Sequence, residues 1–160
     1  MYKKWAEKSL VWLLASGMMN ERGTFNDSPA EDCVNNNKTV WSYNQGVVLG
    51  GLVELEYMSE DPYQLIPGTN TTLTGLAYAA LREVSHENGV IHDLCESECG
   101  ADSAQFKSIF MRNLTMLSDS VESDDESFKR ATQKNTESIW KLGRVDLDLY
   151  RAPTYTSKVE

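Results

Sequence analysis

Basic residues are scarce in this chain. Its 160 residues include 15 Lys and Arg against 24 Asp and Glu, which gives a formal net charge of −9 at pH 7. Nucleic acids and anionic membrane surfaces are polyanions, so this charge argues against either as a partner. Long apolar runs are also missing: the most apolar stretch ends at Glu54 and is far shorter than the roughly 20 residues that a bilayer requires. The composition therefore predicts no nucleic-acid partner and no transmembrane segment.

Targeting signals and repeats are absent as well. The first residues lead directly into an amphipathic pattern, without the apolar segment and small-residue cleavage site of a signal peptide. No apolar C-terminal tail of the lipid-anchor type is visible, and no short fixed period suggests a solenoid. Asn-X-Ser/Thr triplets nevertheless favour a secretory-pathway ancestor. Asn37 and Asn70 lie in polar, loop-like sequence and are the predicted glycosylation sites, whereas the triplet at Asn113 lies in an apolar segment.

Three cysteines are an odd number, which favours one disulfide and one further cysteine, Cys33, whose partner the sequence does not identify. His92, Cys95 and Cys99 have a spacing that is loosely compatible with a metal site, but a structural zinc requires four ligands. A cysteine nucleophile would need a positioned partner. We therefore favour a local disulfide between Cys95 and Cys99 over a zinc site or a nucleophile, and we predict no metal ion and no cofactor.

Helical periodicity is what the sequence has in abundance, and hydrophobic residues, at 41%, suffice for a packed core. Helices are predicted at residues 5–16, 42–57, 70–84, 104–118 and 127–140. The second and fourth are largely apolar and should be buried all round, whereas the third and fifth are amphipathic. This alternation predicts an all-α fold with inner and outer helices. The expected organisation is a partial domain over 1–142 and an irregular tail over 143–160.

The segment 41–57 is predicted to contain the central helix. Ser42 is the predicted N-cap, and Gln45 three residues later gives the spacing of a capping box. Three glycines lie in the apolar middle of this helix: Gly46, Gly50 and Gly51. Each glycine costs about 1 kcal/mol relative to alanine in a helix. A helix that tolerates all three is expected to approach its neighbours closely.

The polar and aromatic start of this helix is a candidate sugar site. It combines aromatic and amide side chains with acids from the preceding loop: Trp41, Tyr43, Asn44, Gln45, Asp27, Glu31 and Asp32. Aromatic faces stack on the apolar faces of sugar rings, while amides and carboxylates hydrogen-bond sugar hydroxyls. The alternative is that the aromatic residues belong to the core and the acids are only solvated.

The segment 41–55 closely resembles the W-[ST]-Y-N-Q-G motif of family 76 glycoside hydrolases, the endo-α-1,6-mannanases, and fungal members look nearest. Further segments match in order and spacing: 94–102, 105–114 and 135–140. The resemblance implies an (α/α)6 barrel, of which this chain would form an incomplete, C-terminal portion. It also adds Phe106 and Lys107 to the candidate sugar-binding residues, although Ser108 stands where the family leads us to expect glycine.

Family members cleave α-1,6-linked mannose backbones with retention, using an adjacent pair of aspartates set among tryptophans. The one Asp-Asp pair in this chain, Asp124–Asp125, lies in an acidic linker and is interpreted as a solvated charge run. The resemblance therefore implies sugar binding, with no catalytic residue assigned here. The implied function is part of a mannan endo-1,6-alpha-mannosidase that hydrolyses or transglycosylates α-1,6 linkages in cell-wall mannan.

The expected partner is α-1,6-mannan or a mannose oligosaccharide. The resemblance places the parent protein in the secreted fraction, in the cell wall or on the outer face of the membrane. We expect the isolated chain to be inactive. We also expect it to self-associate through apolar edges that further barrel helices would cover. The alternative is a non-catalytic sugar-binding or wall-associated helical module.

Overall fold

A computed structural model describes most of the chain between residues 2 and 142. The described residues are 2–29, 31–32, 34–59, 66, 69–96, 98–100, 102–121 and 126–142. Within them lie the α-helices α1 (Tyr2–Ala15), α2 (Ser42–Tyr57), α3 (Leu73–Val84), α4 (Phe106–Ser120) and α5 (Ser127–Leu142). A 3₁₀ turn at Asp102–Gln105 leads into α4, and the described residues contain isolated β-bridges but no strand. The predicted all-helical class is confirmed for this part of the chain.

Some predictions fall outside the described residues. They concern the tail at 143–160, the pair Asp124–Asp125 and the partner of Cys33. Within the described part, helix boundaries differ from the predictions by a few residues. For example, α3 begins at Leu73 rather than at residue 70, because the hydroxyl of Thr72 accepts the backbone N–H of Gly75 at 2.9 Å and so caps the helix there.

The most extensive helix contact joins α2 to α4. A Cβ atom placed on Gly46 would lie 2.6 Å from the Cα atom of Phe110, a separation that only glycine permits. A Cβ atom on Gly50 would lie 2.1 Å from Oδ1 of Asn113, whereas one on Gly51 would meet nothing within 4 Å. The expected close approach of helix backbones therefore holds at Gly46, whereas Gly50 faces the side chain of Asn113 and Gly51 faces open space.

The core is centred on this helix pair. Its largest fully buried apolar side chains are Leu49, Val53, Ile91, Phe110, Leu114 and Leu117. The helices α1 and α3 pack against α2, and α5 packs against α4. A central pair with flanking helices agrees with the predicted alternation, while closure into an (α/α)6 barrel stays a prediction.

The N-terminal end of α2 differs from the prediction. Trp41, not Ser42, is the N-cap residue, with φ −92° and ψ 143°, and its side chain makes no capping hydrogen bond. Ser42 donates its backbone N–H and its hydroxyl to the carboxylate of Asp93, at 2.7 and 2.6 Å. The capping-box prediction is wrong because Gln45 bonds the carbonyl of Trp41 and a carboxylate from a distant loop satisfies the helix terminus.

Apolar side chains are not all covered. Val47 of α2 is 58% exposed, so the prediction that this helix is buried all round is wrong within the described residues. Other large apolar side chains that are more than half exposed are Tyr2, Trp5, Val11, Trp12, Val34, Tyr57, Leu94 and Trp140. Burial requires a neighbouring element on every face, and no element of the described residues covers the side of α2 that carries Val47. None of the described helices combines the length and apolar character needed to cross a membrane.

Candidate functional site

Three aromatic rings meet where α2 and α4 begin. Trp41 caps α2, Tyr43 lies in its first turn, and Phe106 is the first residue of α4. The ring centroid of Phe106 lies 4.3 Å from that of Tyr43 and 5.6 Å from that of Trp41. All three residues are half-buried. We call these three side chains the aromatic rim; each lies at a helix terminus that the rest of the fold fixes in place.

A hydrogen-bonding cluster adjoins the rim at Tyr43. Its phenol donates to Oδ1 of Asp27 at 3.1 Å, and Nδ2 of Asn44 donates to the same oxygen at 3.4 Å. Burial, the hydrogen bond to Asp27 and the negative charge of Asp27 raise the pKa of Tyr43 above 10.0, against the opposing hydrogen bond of Asn44. The phenol is therefore protonated at neutral pH and remains a donor. Asp27 itself is exposed, so its carboxylate can also accept hydrogen bonds from a ligand.

The loop that carries Asp27 is fixed by buried polar groups. Asn26 is 1% exposed, and its side-chain amide donates to the carbonyl of Lys38. Its backbone N–H donates to the carbonyl of Met18 at 2.9 Å, and the backbone N–H of Asp27 donates to the carbonyl of Thr39 at 3.1 Å. Satisfied buried polar groups of this kind hold a loop rigidly. The carboxylate of Asp27 therefore projects from a defined backbone.

Gln45 lies behind the rim. It is 2% exposed, and its Oε1 accepts the backbone N–H of Phe25 at 2.9 Å. Its Nε2 donates to the carbonyls of Phe25 and Trp41, at 2.8 and 3.1 Å. These bonds join the loop before Asp27 to the first turn of α2. The structure thus gives Gln45 a positioning role, and the sugar contact expected from the motif stays a prediction.

Lys107 lies next to Phe106 and forms an ion pair with Glu96. The other oxygen of Glu96 bonds Nδ1 of His92 at 2.6 Å. Burial lowers the pKa of His92 below 6.5; the charges of His86 and Lys107 lower it further, while Glu96 opposes them. His92 is therefore neutral at pH 7, with its Nδ1–H donated to Glu96. Lys107 directly follows Phe106 of the aromatic rim, and its ammonium is held by this half-buried carboxylate.

Cys95 and Cys99 form a disulfide in the structure, with their Cα atoms 4.8 Å apart. Among the described residues, no group of three or more His, Cys, Asp or Glu side chains is arranged to hold a metal ion. The predicted glycosylation sites, Asn37 and Asn70, are both exposed. Their accessibility is compatible with a glycan, which stays a prediction.

Hydrogen bonds and ring contacts bring Asp27, Trp41, Tyr43 and Asn44 together with Phe106, and Lys107 follows Phe106 in α4. That these residues bind sugar stays a prediction. Sequence reasoning missed the roles of Asp93 and Glu96, and it overlooked His86, whose ring centroid lies 4.0 Å from that of His92. The sequence does contain a signal for Asp93 and Glu96, because these two acids flank Leu94 and Cys95 in a short interhelical segment. Their spacing could not identify their partners, since Ser42 is 51 residues away from Asp93.

Comparisons with known proteins agree with the resemblance found in the sequence. The model of glycosyl hydrolase family 76 matches residues 1–146. The mannan endo-1,6-alpha-mannosidase DFG5 of Saccharomyces cerevisiae is 32% identical over 126 residues, covering 73% of this chain and 26% of the relative. The mannan endo-1,6-alpha-mannosidase DCW1 of Candida albicans is 29% identical over 126 residues, covering 73% of this chain and 27% of the relative.

The chain spans about a quarter of the length of the curated relatives it matches. No solved structure gives a significant match. The family model, in contrast, extends over nearly the whole chain, from α1 to just beyond α5. The chain therefore belongs to glycosyl hydrolase family 76.

Proposed function

We propose that this chain supplies part of the substrate cleft of a mannan endo-1,6-alpha-mannosidase, and that its ligand is α-1,6-linked mannan or a mannose oligosaccharide. The observation that carries this proposal is the aromatic rim beside the Asp27–Tyr43–Asn44 cluster. A pyranose has apolar ring faces and polar edges, so stacking surfaces next to hydrogen-bonding groups suit it. Both relatives are named mannan endo-1,6-alpha-mannosidases, which supports the same ligand.

We further propose that this chain contributes sugar contacts and not the catalytic acids. A retaining glycosidase needs two carboxyl groups about 5–5.5 Å apart, one of which must carry a proton. The Asp27 carboxylate accepts hydrogen bonds from Tyr43 and Asn44, and acceptor oxygens of this kind suit the binding of sugar hydroxyls. The expected result is that the chain binds mannan without cleaving it, whereas the complete enzyme hydrolyses or transglycosylates the α-1,6 backbone.

The location of the parent protein is part of the same proposal. A mannan substrate belongs to the outside of the cell, so we propose secretion to the cell wall or the outer face of the membrane. The exposed positions of Asn37 and Asn70 support glycan attachment during such export. Intact-mass measurement on protein made in a secreting fungal host, before and after enzymatic removal of N-glycans, tests this part.

Calorimetric titration with linear α-1,6-mannooligosaccharides tests sugar binding. Replacing Trp41 by alanine removes a stacking face, and we expect affinity to fall about tenfold, the equivalent of about 1.4 kcal/mol. Trp12→Ala is the matched control, because Trp12 is 67% exposed on α1 and is not among the residues whose rings contact each other at the rim. Equal losses in the two variants, or no binding by the unmodified chain, would reject the proposal.

The second candidate function is a non-catalytic sugar-binding or wall-associated module. It is favoured by the absence of an assigned catalytic acid pair from the candidate site. Release of reducing ends from linear α-1,6-mannan separates the two functions when this chain is assayed beside a version extended into the neighbouring coding sequence. Cleavage by the extended protein alone supports the enzyme, and binding without cleavage by both supports the module.

A further inference from the structure

The loop at 92–96 contacts both helix ends that carry the aromatic rim. The carboxylate of Asp93 accepts the backbone N–H and hydroxyl of Ser42, at the start of α2. The carboxylate of Glu96 pairs with Lys107, at the start of α4. Two acids three residues apart therefore connect the two termini that present Trp41 and Phe106.

Glu96 is the central group of this loop. Its Oε1 accepts the backbone N–H of Asp93 at 3.0 Å and pairs with Lys107, and its Oε2 bonds Nδ1 of His92 at 2.6 Å. The Glu96 side chain is 14% exposed and that of Lys107 is 28% exposed. A carboxylate has about four acceptor positions, so three donors leave it well satisfied and fixed.

We propose that Glu96 is a positioning residue for the sugar site: it fixes the ammonium of Lys107, the residue that follows Phe106 of the aromatic rim, so that this ammonium donates to sugar hydroxyls. This inference rests on the proposed function. An ammonium carries three N–H donors, and its pairing with Glu96 requires one. A lysine that is already ordered loses less rotamer freedom when the ligand arrives, which raises affinity without a new contact.

The variant Glu96→Gln tests the proposal with little change in shape. Glutamine can still accept the backbone N–H of Asp93, but it lacks the negative charge that holds Lys107. Glu98→Gln is the matched control, because Glu98 is an exposed acid two residues further along the chain. In calorimetric titration with a linear α-1,6-mannooligosaccharide, we expect Glu96→Gln to weaken binding about tenfold, as for loss of a hydrogen bond to a charged group. Glu98→Gln should bind like the unmodified chain.

A double-mutant cycle with Lys107→Met shows whether Glu96 acts through Lys107. If it does, the double variant binds no more weakly than Lys107→Met alone. Additive losses, or unchanged affinity in Glu96→Gln, would overturn the proposal. If Glu96→Gln fails to fold, Glu96→Asp keeps the charge but retracts the carboxylate by one methylene. Weaker binding of the mannooligosaccharide by Glu96→Asp than by the unmodified chain then supports the positioning role, and unchanged affinity contradicts it.

A second readout separates this inference from the proposed function. Glu96 raises the pKa of His92 through its charge and its hydrogen bond, so Glu96→Gln should lower the NMR-titrated pKa of His92 while Glu98→Gln leaves it unchanged. If the unmodified chain binds no mannooligosaccharide, the proposed function fails. In that case the pKa of His92 alone tests whether Glu96 bonds His92 in solution as it does in the structure. A pKa of His92 that is unchanged in Glu96→Gln rejects the positioning role.

Discussion

Ser42 illustrates how the role of a residue depends on a partner far away in the chain. Its sequence context suggests an N-cap, yet it donates two hydrogen bonds to Asp93 from within the helix. Gln45 and Asn26 behave similarly, because each uses its amide to fix backbone groups of the loop at 20–39. Buried polar side chains thus determine where the exposed binding groups stand.

Removal of the Asp93 carboxylate should destabilise the chain. Asp93 is 5% exposed and accepts two hydrogen bonds at the positive end of α2. We expect Asp93→Ala to lower the free energy of unfolding by about 1–3 kcal/mol. Asp93→Asn should cost less, since its carbonyl can still accept the backbone N–H of Ser42. Urea denaturation measures both, and equal stability of Asp93→Ala and the unmodified chain would contradict the capping role.

Acidification should destabilise the fold through His92. Its lowered pKa, caused first by burial, means that the unfolded chain binds more protons between that pKa and 6.5. The contribution of His92 is therefore fully present above pH 6.5 and is lost as the pH falls through this window. The groups facing it are Glu96, which opposes the shift, and His86 and Lys107, which add to it.

Urea midpoints measured from pH 7.5 to 5 check this prediction. His92→Gln should show a shallower loss of stability than the unmodified chain, because glutamine does not titrate and can still donate to Glu96. The difference between the two curves isolates the histidine from the acidic groups that titrate at lower pH. Parallel curves would show that His92 does not contribute.

At the scale of elements, the pairing of α2 with α4 places the two halves of the site side by side. Gly46 lies about one turn beyond the rim and has no side chain, so the backbone of α2 can approach the backbone of α4 closely at Phe110. This contact fixes how far the start of α2 lies from the start of α4. The separation of Tyr43 from Phe106, 4.3 Å between ring centroids, is a consequence.

Alanine at Gly46 should therefore disrupt the helix pair. Its Cβ atom would lie 2.6 Å from backbone of α4, and we expect a loss of about 1–3 kcal/mol from overpacking. Gly51→Ala is the matched control, because Gly51 meets nothing within 4 Å and alanine favours helix by up to about 1 kcal/mol. Thermal unfolding of both variants should move in opposite directions; a shift in the same direction would contradict the close approach.

At the scale of the whole molecule, several large apolar side chains of the described residues are exposed to solvent. The helix α1 exposes Tyr2, Trp5 and Trp12 at spacings of three and seven residues, which lie on one face. In the complete family domain we expect further helices to cover such faces. In this chain alone the faces are open to contact with another copy.

Self-association should therefore rise with protein concentration. Sedimentation velocity over a hundredfold range of concentration is the measurement, and we expect species larger than the 18.0 kDa monomer at the upper end. Replacing Trp5 and Trp12 together by glutamine should shift the distribution toward monomer, because it removes apolar area without touching the rim. A single monomeric species at every concentration would contradict self-association through the exposed apolar faces.

The sequence by itself determined the helical class, the approximate helix limits and the family, because each follows from local periodicity and from a motif that is contiguous in the chain. It also singled out the three residues of the aromatic rim, since Trp41 and Tyr43 lie in one matching segment and Phe106 lies in another. Only the tertiary structure decided that Asp93 caps α2, that Glu96 holds Lys107, and that Gln45 lies behind the rim. Those roles depend on contacts between segments distant in the sequence, and such contacts leave no periodic pattern in the chain.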